Sequence, residues 1–217
     1  MDILEIIKAR HSVRQYKNQK IEEEKRKELL ELADLCNKER GLNIQIIFDE
    51  PKCFNSLMSK ITNFKGCENY IAIVGKKNDK DLEEKTGYYG EKIVLKAQEL
   101  GLNTCWVALT HGKSIAKVEK DEKQVILIAL GYGVNQGFSR KSKSIADVSN
   151  VTDNLPEWYK KGIEAALLAP TAVNQQKFYF TLENDTVKVV PLKGPNTKID
   201  LGIVKYHFEV ASGHKVQ

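Results

Sequence analysis

Three stretches of this sequence concentrate residue types that hold anions or grip the polar edge of a planar ring. The first is Arg10-His11-Ser12-Val13-Arg14-Gln15-Tyr16. An arginine guanidinium holds a phosphate through forked, charge-assisted hydrogen bonds, and a serine hydroxyl or a histidine can add another. A basic helix end that favours the macrodipole has the same composition, so the cluster alone supports both readings. The second stretch is Ala169-Pro170-Thr171-Ala172-Val173-Asn174-Gln175-Gln176-Lys177-Phe178. Its amides offer donors and acceptors together, as a uracil-like ring edge demands; an ordinary helix-to-strand loop also looks like this. The third, Gly101-Leu102-Asn103-Thr104-Cys105-Trp106-Val107-Ala108-Leu109, reads as a helix stop and a buried strand whose end could face a ligand. A short basic cluster, Ser139-Arg140-Lys141-Ser142-Lys143, can hold one phosphate group.

These stretches need elements to place them. Asp2 can cap a helix with Ile3, Ile6 and Ile7 on one face, ending near Arg10 and His11. Leu29, Leu32, Ala33 and Cys36 follow the helix period within a helix expected over residues 22–37. A further helix is expected over 87–100, closed by Gly101. Strands are expected at 44–48, 70–74, 104–109 and 124–130. Residues 53–65 read as a helix or a loop. After Asn154 come a helix over 157–168, a hairpin (178–182 and 186–191, turning at Glu183-Asn184-Asp185) and a last helix over 199–212.

The bulk numbers narrow the class. A chain of 217 residues suits one large domain or two packed halves. Apolar residues at 41% and charged residues at 29% are ordinary for a soluble globular protein. No apolar run approaches the roughly 18 residues that a membrane helix needs, and the acid-bearing N-terminus is a poor secretory signal. Cys36, Cys53, Cys67 and Cys105 form no CxxC pair, which predicts reduced core or near-surface thiols, no metal site and a cytoplasmic protein. The net charge of +5 comes from interspersed signs, not a basic stripe, which argues against nucleic acid as a partner.

An internal echo runs through the chain. Residues 30–48 can be laid on 163–181 without gaps, and 90–101 resembles 202–213 with glycines at both ends. Two matches in the same order suggest partial duplication. The expected organisation is an N-terminal half (1–133), a linker (134–154) within the Gly-, Ser-, Asn- and Lys-rich stretch from Gly131, and a C-terminal half (155–217).

Taken together, the motifs resemble the nitroreductase family of flavoproteins. Arg10 to Tyr16 matches the family's R-[RH]-S-x-[RK]-x-[FY] motif. Ala169, Pro170, Thr171, Asn174 and Gln176 match A-P-[ST]-x-x-N-x-Q. Gly101 to Trp106 matches G-L-x-T-C-W, and Ala129 to Tyr132 matches A-L-G-Y. The similarity touches nearly the whole chain. In most of the family the A-P-[ST] motif follows soon after the first one. Here that place holds Asn37-Lys38, Gly41 and Asn43, and the intact motif lies in the second copy. Lys177 replaces a usual proline, and Leu109 a common glycine.

The resemblance implies an α+β fold, a nitroreductase-like three-layer α-β-α sandwich with two related halves. It implies FMN, with Arg10, His11 and Ser12 on the phosphate and ribityl chain and Arg14 near the N1/O2 edge. The Ala108 and Leu109 backbone would approach N5. Pro170, Thr171 and Asn174 would pack on the ring, beside Gln176 of the same motif, and Arg140 or Lys143 would add a phosphate contact. NAD(P)H would reduce the flavin, and a nitroaromatic or quinone would reoxidise it by a ping-pong route with no dedicated acid-base residue. Dehalogenase-like flavin chemistry and a non-catalytic flavin sensor are the alternatives. Family members are homodimers that complete the flavin site across subunits. The displaced motif therefore implies a pseudo-dimeric monomer completing its site in one chain, or a homodimer.

Overall fold

A computed structural model describes residues 2–217. The described residues divide into two compact units: a sheet unit of residues 9–82 and 93–138, and a second unit of residues 2–8, 83–92 and 139–217.

The sheet unit is built on strands β1 (Asn43–Ile47), β2 (Asn69–Lys76), β3 (Asn103–Val107) and β4 (Glu122–Gly131). Their order is β1-β2-β4-β3, and every neighbouring pair is antiparallel. The interior strand β2 is buried at every position from Asn69 to Gly75, so both faces of the sheet are covered there. Alternate residues build one face: Tyr70 and Ala72, Cys105 and Val107, Leu127 and Ala129 pack with Val13, Tyr16, Phe54 and Phe64. The opposite set, including Ile71, Ile73 and Ile128, is equally buried. Each such side chain contributes about 1.5–3 kcal/mol on leaving water.

Helix α1 (Ile3–Ala9) precedes the sheet unit in the chain. Helix α2 (Glu23–Arg40) packs on β1 and buries Leu29, Ala33 and Cys36 at helical spacing. Gly41 ends α2 at φ +66°, a left-handed conformation that glycine adopts without strain. The Asn37 side chain then exchanges two hydrogen bonds with the Ile44 backbone (2.7 and 3.0 Å), fixing the approach to β1. The ambiguous stretch 53–65 resolves into a 3₁₀ turn (Cys53–Asn55) and the short helix α3 (Leu57–Ile61). Helix α4 (Leu82–Glu99) begins five residues before the start expected at Gly87. Gly87 is not a helix start but a packing position: a Cβ there would stand 1.9 Å from the Ile199 carbonyl oxygen.

In the second unit, α5 (Ile145–Val148), α6 (Glu157–Leu167) and α7 (Thr197–Ser212) surround a hairpin of β5 (Phe178–Glu183) and β6 (Thr186–Pro191). Asn184 and Asp185 carry positive φ, as a tight two-residue hairpin turn requires. Tyr159, Phe178, Phe180 and Phe208 form the buried aromatic centre, with Phe180 and Phe208 stacked at 5.1 Å. Gly162 of α6 admits the Phe208 ring, and Gly202 of α7 admits the Glu84 carbonyl of α4. His207 is fully buried and lies between two acceptors, the Ala165 carbonyl (3.0 Å) and the Glu91 carboxylate (2.8 Å). It ties α4, α6 and α7 together.

The segment expected to act as a linker is more structured than its composition suggests. Asp147 accepts hydrogen bonds from the Ser144 N–H (2.8 Å) and hydroxyl (2.7 Å), which starts α5. Asn150 joins the edge of β5 through the backbone of Phe180 and Leu182. The polar residues of this segment tie the chain down. The repeated helix-strand pieces also enter different sheets: β1 pairs with β2, and β5 with β6 alone. Gly101 and Gly213, the closing glycines of the second match, do share a left-handed conformation (φ +78° and +74°).

Candidate functional site

The candidate phosphate-holding residues lie in the sheet unit, on the segment that leaves α1. Its Val13 N–H donates to the Thr104 carbonyl (3.0 Å), laying Ser12 beside Thr104 next to β3. On its other side, the Arg14 carbonyl accepts from Lys65 N–H (3.0 Å) and Tyr16 N–H donates to the Lys65 carbonyl (2.9 Å). Gly66 makes this contact possible, since a Cβ there would stand 2.4 Å from the Tyr16 carbonyl oxygen. Tyr16 is the anchor. Its buried ring donates a hydroxyl bond to the Val13 carbonyl (2.7 Å), and burial holds its pKa well above the ordinary value. The loop after β4 supports the segment from a third side. There Gly133 N–H donates to Asn103 Oδ1 (2.9 Å), and Gly137, at φ +74°, passes too close to His11 for a side chain.

This backbone is therefore fixed while several of its functional groups stay uncommitted. Arg10 is not one of them: it is buried, at 8% exposure, and already engaged within the protein. His11 Nδ1 lies 3.0 Å from the Ala9 carbonyl, leaving Nε2 available. Among the described residues, the half-buried Arg14 guanidinium and the Ser12 hydroxyl make no hydrogen bond or ion pair within the protein. Ala108 and Leu109 follow the end of β3, both exposed, with Leu109 at 81%.

The amide-bearing residues lie in the second unit, on the loop between α6 and β5. Ala172–Asn174 forms a 3₁₀ turn, and Val173, Asn174 and Gln176 all carry positive φ. For a β-branched valine this costs about 1–3 kcal/mol, and such a conformation persists only when its surroundings impose it. They do. Asn174 Nδ2 donates to the Lys141 carbonyl (2.9 Å), Gln176 N–H donates to the Thr171 hydroxyl (3.0 Å), and Ala172 N–H donates to the Asp200 carboxylate (3.0 Å).

Within this loop the candidate residues divide. The buried Gln176 amide is wholly engaged: Nε2 donates to Ser142 Oγ (3.0 Å) and the Leu167 carbonyl (2.7 Å), and Oε1 accepts from Lys143 N–H (2.8 Å). Lys143 Nζ is engaged too, donating to the Gln176 carbonyl (2.7 Å). Arg140 is exposed, with no partner among the described residues. The carbonyl oxygen of the Asn174 side chain and the hydroxyl proton of Thr171 remain available. Pro170 is half-buried and the Val173 side chain stands out at 89% exposure.

Asp200 is the residue that motif reading missed. It is 4% exposed, and burial raises its carboxyl to about 6, against hydrogen bonds from Gln175 and Ala172 that pull it down. One signal was present: an acid set inside the apolar run Ile199-Asp200-Leu201-Gly202-Ile203-Val204. The cysteines carry no comparable signal of chemistry. All four are buried, and burial pushes Cys53 to about 11 and Cys67 to about 12, far from a thiolate at neutral pH.

Residues 2–212 match a protein-family model described as "Putative TM nitroreductase". The chain belongs to the nitroreductase family. Membership makes it an oxidoreductase and bears out the resemblance carried by its motifs. Solved structures agree on the fold. A Thermotoga maritima chain of the same description aligns over 97% of this chain and 83% of its own, at 24% identity and a TM-score of 0.72. An FMN-dependent nitroreductase from Clostridium difficile aligns over 70% of this chain and 99% of its own, at 24% identity and a TM-score of 0.50. A nitroreductase-described chain from Desulfovibrio desulfuricans, in complex with FMN, aligns over 72% and 99%, at 18% identity and a TM-score of 0.55. No curated protein matches the chain. Among the described residues, no helix is long and apolar enough to cross a membrane.

The nitroreductase-family chain thus presents two sets of groups suited to a phosphate-bearing ligand with an amide-edged ring. The uncommitted groups are the Arg14 guanidinium, the Ser12 hydroxyl and His11 Nε2 on one segment, and the Asn174 amide oxygen and Thr171 hydroxyl proton on the other. These groups are of the kind that FMN requires, while the amide of Gln176 and the ammonium of Lys143 have hydrogen-bond partners within the protein.

Proposed function

We propose that this nitroreductase-family chain is an FMN-dependent oxidoreductase that takes electrons from NAD(P)H and reduces nitroaromatics, quinones or related small electrophiles. The observation that carries the reading is the Arg10–Arg14 segment. Its backbone is fastened on two sides while the Arg14 guanidinium and Ser12 hydroxyl stay uncommitted. A preorganised cation with no internal partner is a group waiting for an anionic or carbonyl-bearing ligand. FMN, when bound, supplies the capacity to accept hydride and pass electrons on.

Each protein group has a definite task in this reading. Arg10, His11 and Ser12 hold the phosphate and ribityl chain. Arg14 places positive charge at the N1/O2 edge of the ring. The backbone at Ala108 and Leu109 borders N5. Pro170, Thr171 and Asn174 supply apolar and hydrogen-bonding contacts to the ring. Arg140 is the better candidate of the basic pair for a phosphate contact, because Lys143 already donates to Gln176. Gln176 shapes the loop, its amide being already engaged within the protein.

The first test is the visible spectrum of the purified protein, where bound FMN gives the flavin maxima. Anaerobic bleaching by NADH or NADPH then separates an enzyme from a flavin-binding module; bound flavin that neither donor bleaches removes the catalytic half of the reading. Arg10→Ala tests the phosphate assignment. Losing a hydrogen bond to a charged group weakens binding by about 1.5–3 kcal/mol, tenfold or more in Kd. FMN affinity should fall by that factor and riboflavin affinity should hold. Equal losses for the two ligands would assign Arg10 to something other than the phosphate.

A further inference from the structure

We propose that Asp200 is a positioning residue whose carboxylate fastens the 171–176 loop in the conformation that presents Thr171 and Asn174 to the flavin. The inference rests on the proposed FMN site. The geometry is a clamp. Asp200, in the first turn of α7, accepts from Ala172 N–H through both oxygens (3.0 and 3.2 Å) and from Gln175 Nε2 at 2.7 Å. Ala172 and Gln175 are the two ends of the turn that holds Val173 and Asn174 at positive φ. The same Gln175 amide donates to the Pro195 carbonyl (2.8 Å), which ties the loop to the connection before α7. Gly194 lets this amide lie close, since a Cβ there would stand 2.6 Å from Gln175 Oε1.

The chemistry of the clamp needs a carboxylate. Both partners are donors: Oδ2 accepts from each of them, and Oδ1 accepts from Ala172 as well. An asparagine has one accepting oxygen, so in either orientation its own NH₂ would face the Ala172 N–H or the Gln175 Nε2. A carboxylate with 4% exposure would be replaced by an apolar side chain if packing alone were required. Here it restrains a strained turn that has an exposed valine at its tip and an uncommitted amide oxygen beside it.

The experiment has two arms on the full chain. Hydrogen exchange on Asp200→Asn and Asp200→Ala needs no flavin. Exchange should quicken at least tenfold at Ala172 to Gln175, with the amides of α6 and α7 protected as in wild type. Unchanged exchange in that loop would overturn the clamp. The second arm measures FMN and riboflavin affinities. Both should weaken by the same factor, about tenfold in Asp200→Asn, leaving their ratio unchanged, whereas Arg10→Ala alters the ratio. A loop that loosens with no loss of flavin affinity overturns the positioning role. A protein that binds neither flavin in its wild-type form instead fails the functional reading, and with it the positioning role, and the exchange arm still decides the clamp.

Discussion

Val173 at φ +47° and a buried Asp200 carboxyl are both costly by themselves, and Asp200 accepts hydrogen bonds from Ala172 and Gln175 on either side of the Val173 turn. The Asp200 cost has a definite sign with pH. Its carboxyl titrates at about 6 when folded and near 3.8 when unfolded, so between those values the folded chain binds the extra proton. Its ionisation therefore takes stability away as pH rises from about 4 to about 6, by about 3 kcal/mol in all, and the effect is flat above that. Asp147 and Asp49 work oppositely, since their hydrogen bonds lower their pKa values and favour the folded state as pH rises. The comparison that isolates Asp200 is urea unfolding of wild type against Asp200→Asn. The variant should gain relative to wild type on going from pH 5 to pH 7, while the lost Gln175 bond, about 1 kcal/mol, is an offset present at both pH values. A variant that loses ground over that interval would show that the carboxylate is stabilising when charged. A side chain that is better for stability when neutral, yet kept as an acid, fits a positioning role better than a packing one.

At the scale of elements, the second unit is held by close approaches that glycine permits. Gly87 and Gly202 let α4 and α7 touch backbone to backbone, and Gly162 receives the Phe208 ring. A methyl group at Gly202 would stand 2.0 Å from the Glu84 carbonyl oxygen and 2.6 Å from the Tyr88 nitrogen, both main-chain atoms that cannot swing aside. Gly202→Ala should therefore destabilise the chain by about 1–3 kcal/mol or more in chemical denaturation, despite the better helix propensity of alanine. An unchanged midpoint would mean that the two helices separate freely. Gly213 is the control. It lies in open space, and Gly213→Ala should cost only its left-handed φ, about 1 kcal/mol. This is also why the start of α4 was misplaced: glycine in a sequence reads as punctuation, and the packing that makes it a contact residue is not visible there.

At the scale of the whole molecule, each set of candidate flavin contacts occurs once per chain, Arg10 to Arg14 in the sheet unit and Thr171 to Asn174 in the second unit. Complementary loss in the sequence is the argument that one chain serves one FMN: the first half lacks the Pro-Thr and amide pair, and the second lacks an Arg-x-Ser motif. Arg10→Ala and Asn174→Ala, unfolded and refolded together, should then show no sites of wild-type FMN affinity. Recovery of about a quarter of the wild-type binding capacity would show that chains share sites, as statistical mixing of two subunits predicts.

The sequence by itself determined the long helices and the strands, to within a few residues outside the start of α4, because apolar spacing, capping glycines and hairpin turn residues are local signals; the short elements at 53–61, 145–148 and 172–174 were not legible in it. It also determined the family, since Arg10-His11-Ser12 and Ala169-Pro170-Thr171 are contiguous motifs that survive without any knowledge of packing. Only the tertiary structure separated Asn174, whose amide oxygen is available, from Gln176, whose amide is consumed by Ser142, Lys143 and Leu167. It alone brought Asp200 to the Ala172–Gln175 turn, and it alone engaged Lys143 while leaving Arg140 exposed. The physical reason is common to all three. Hydrogen-bond capacity belongs to the residue type and can be read from the chain, but whether that capacity is already satisfied depends on partners distant in sequence.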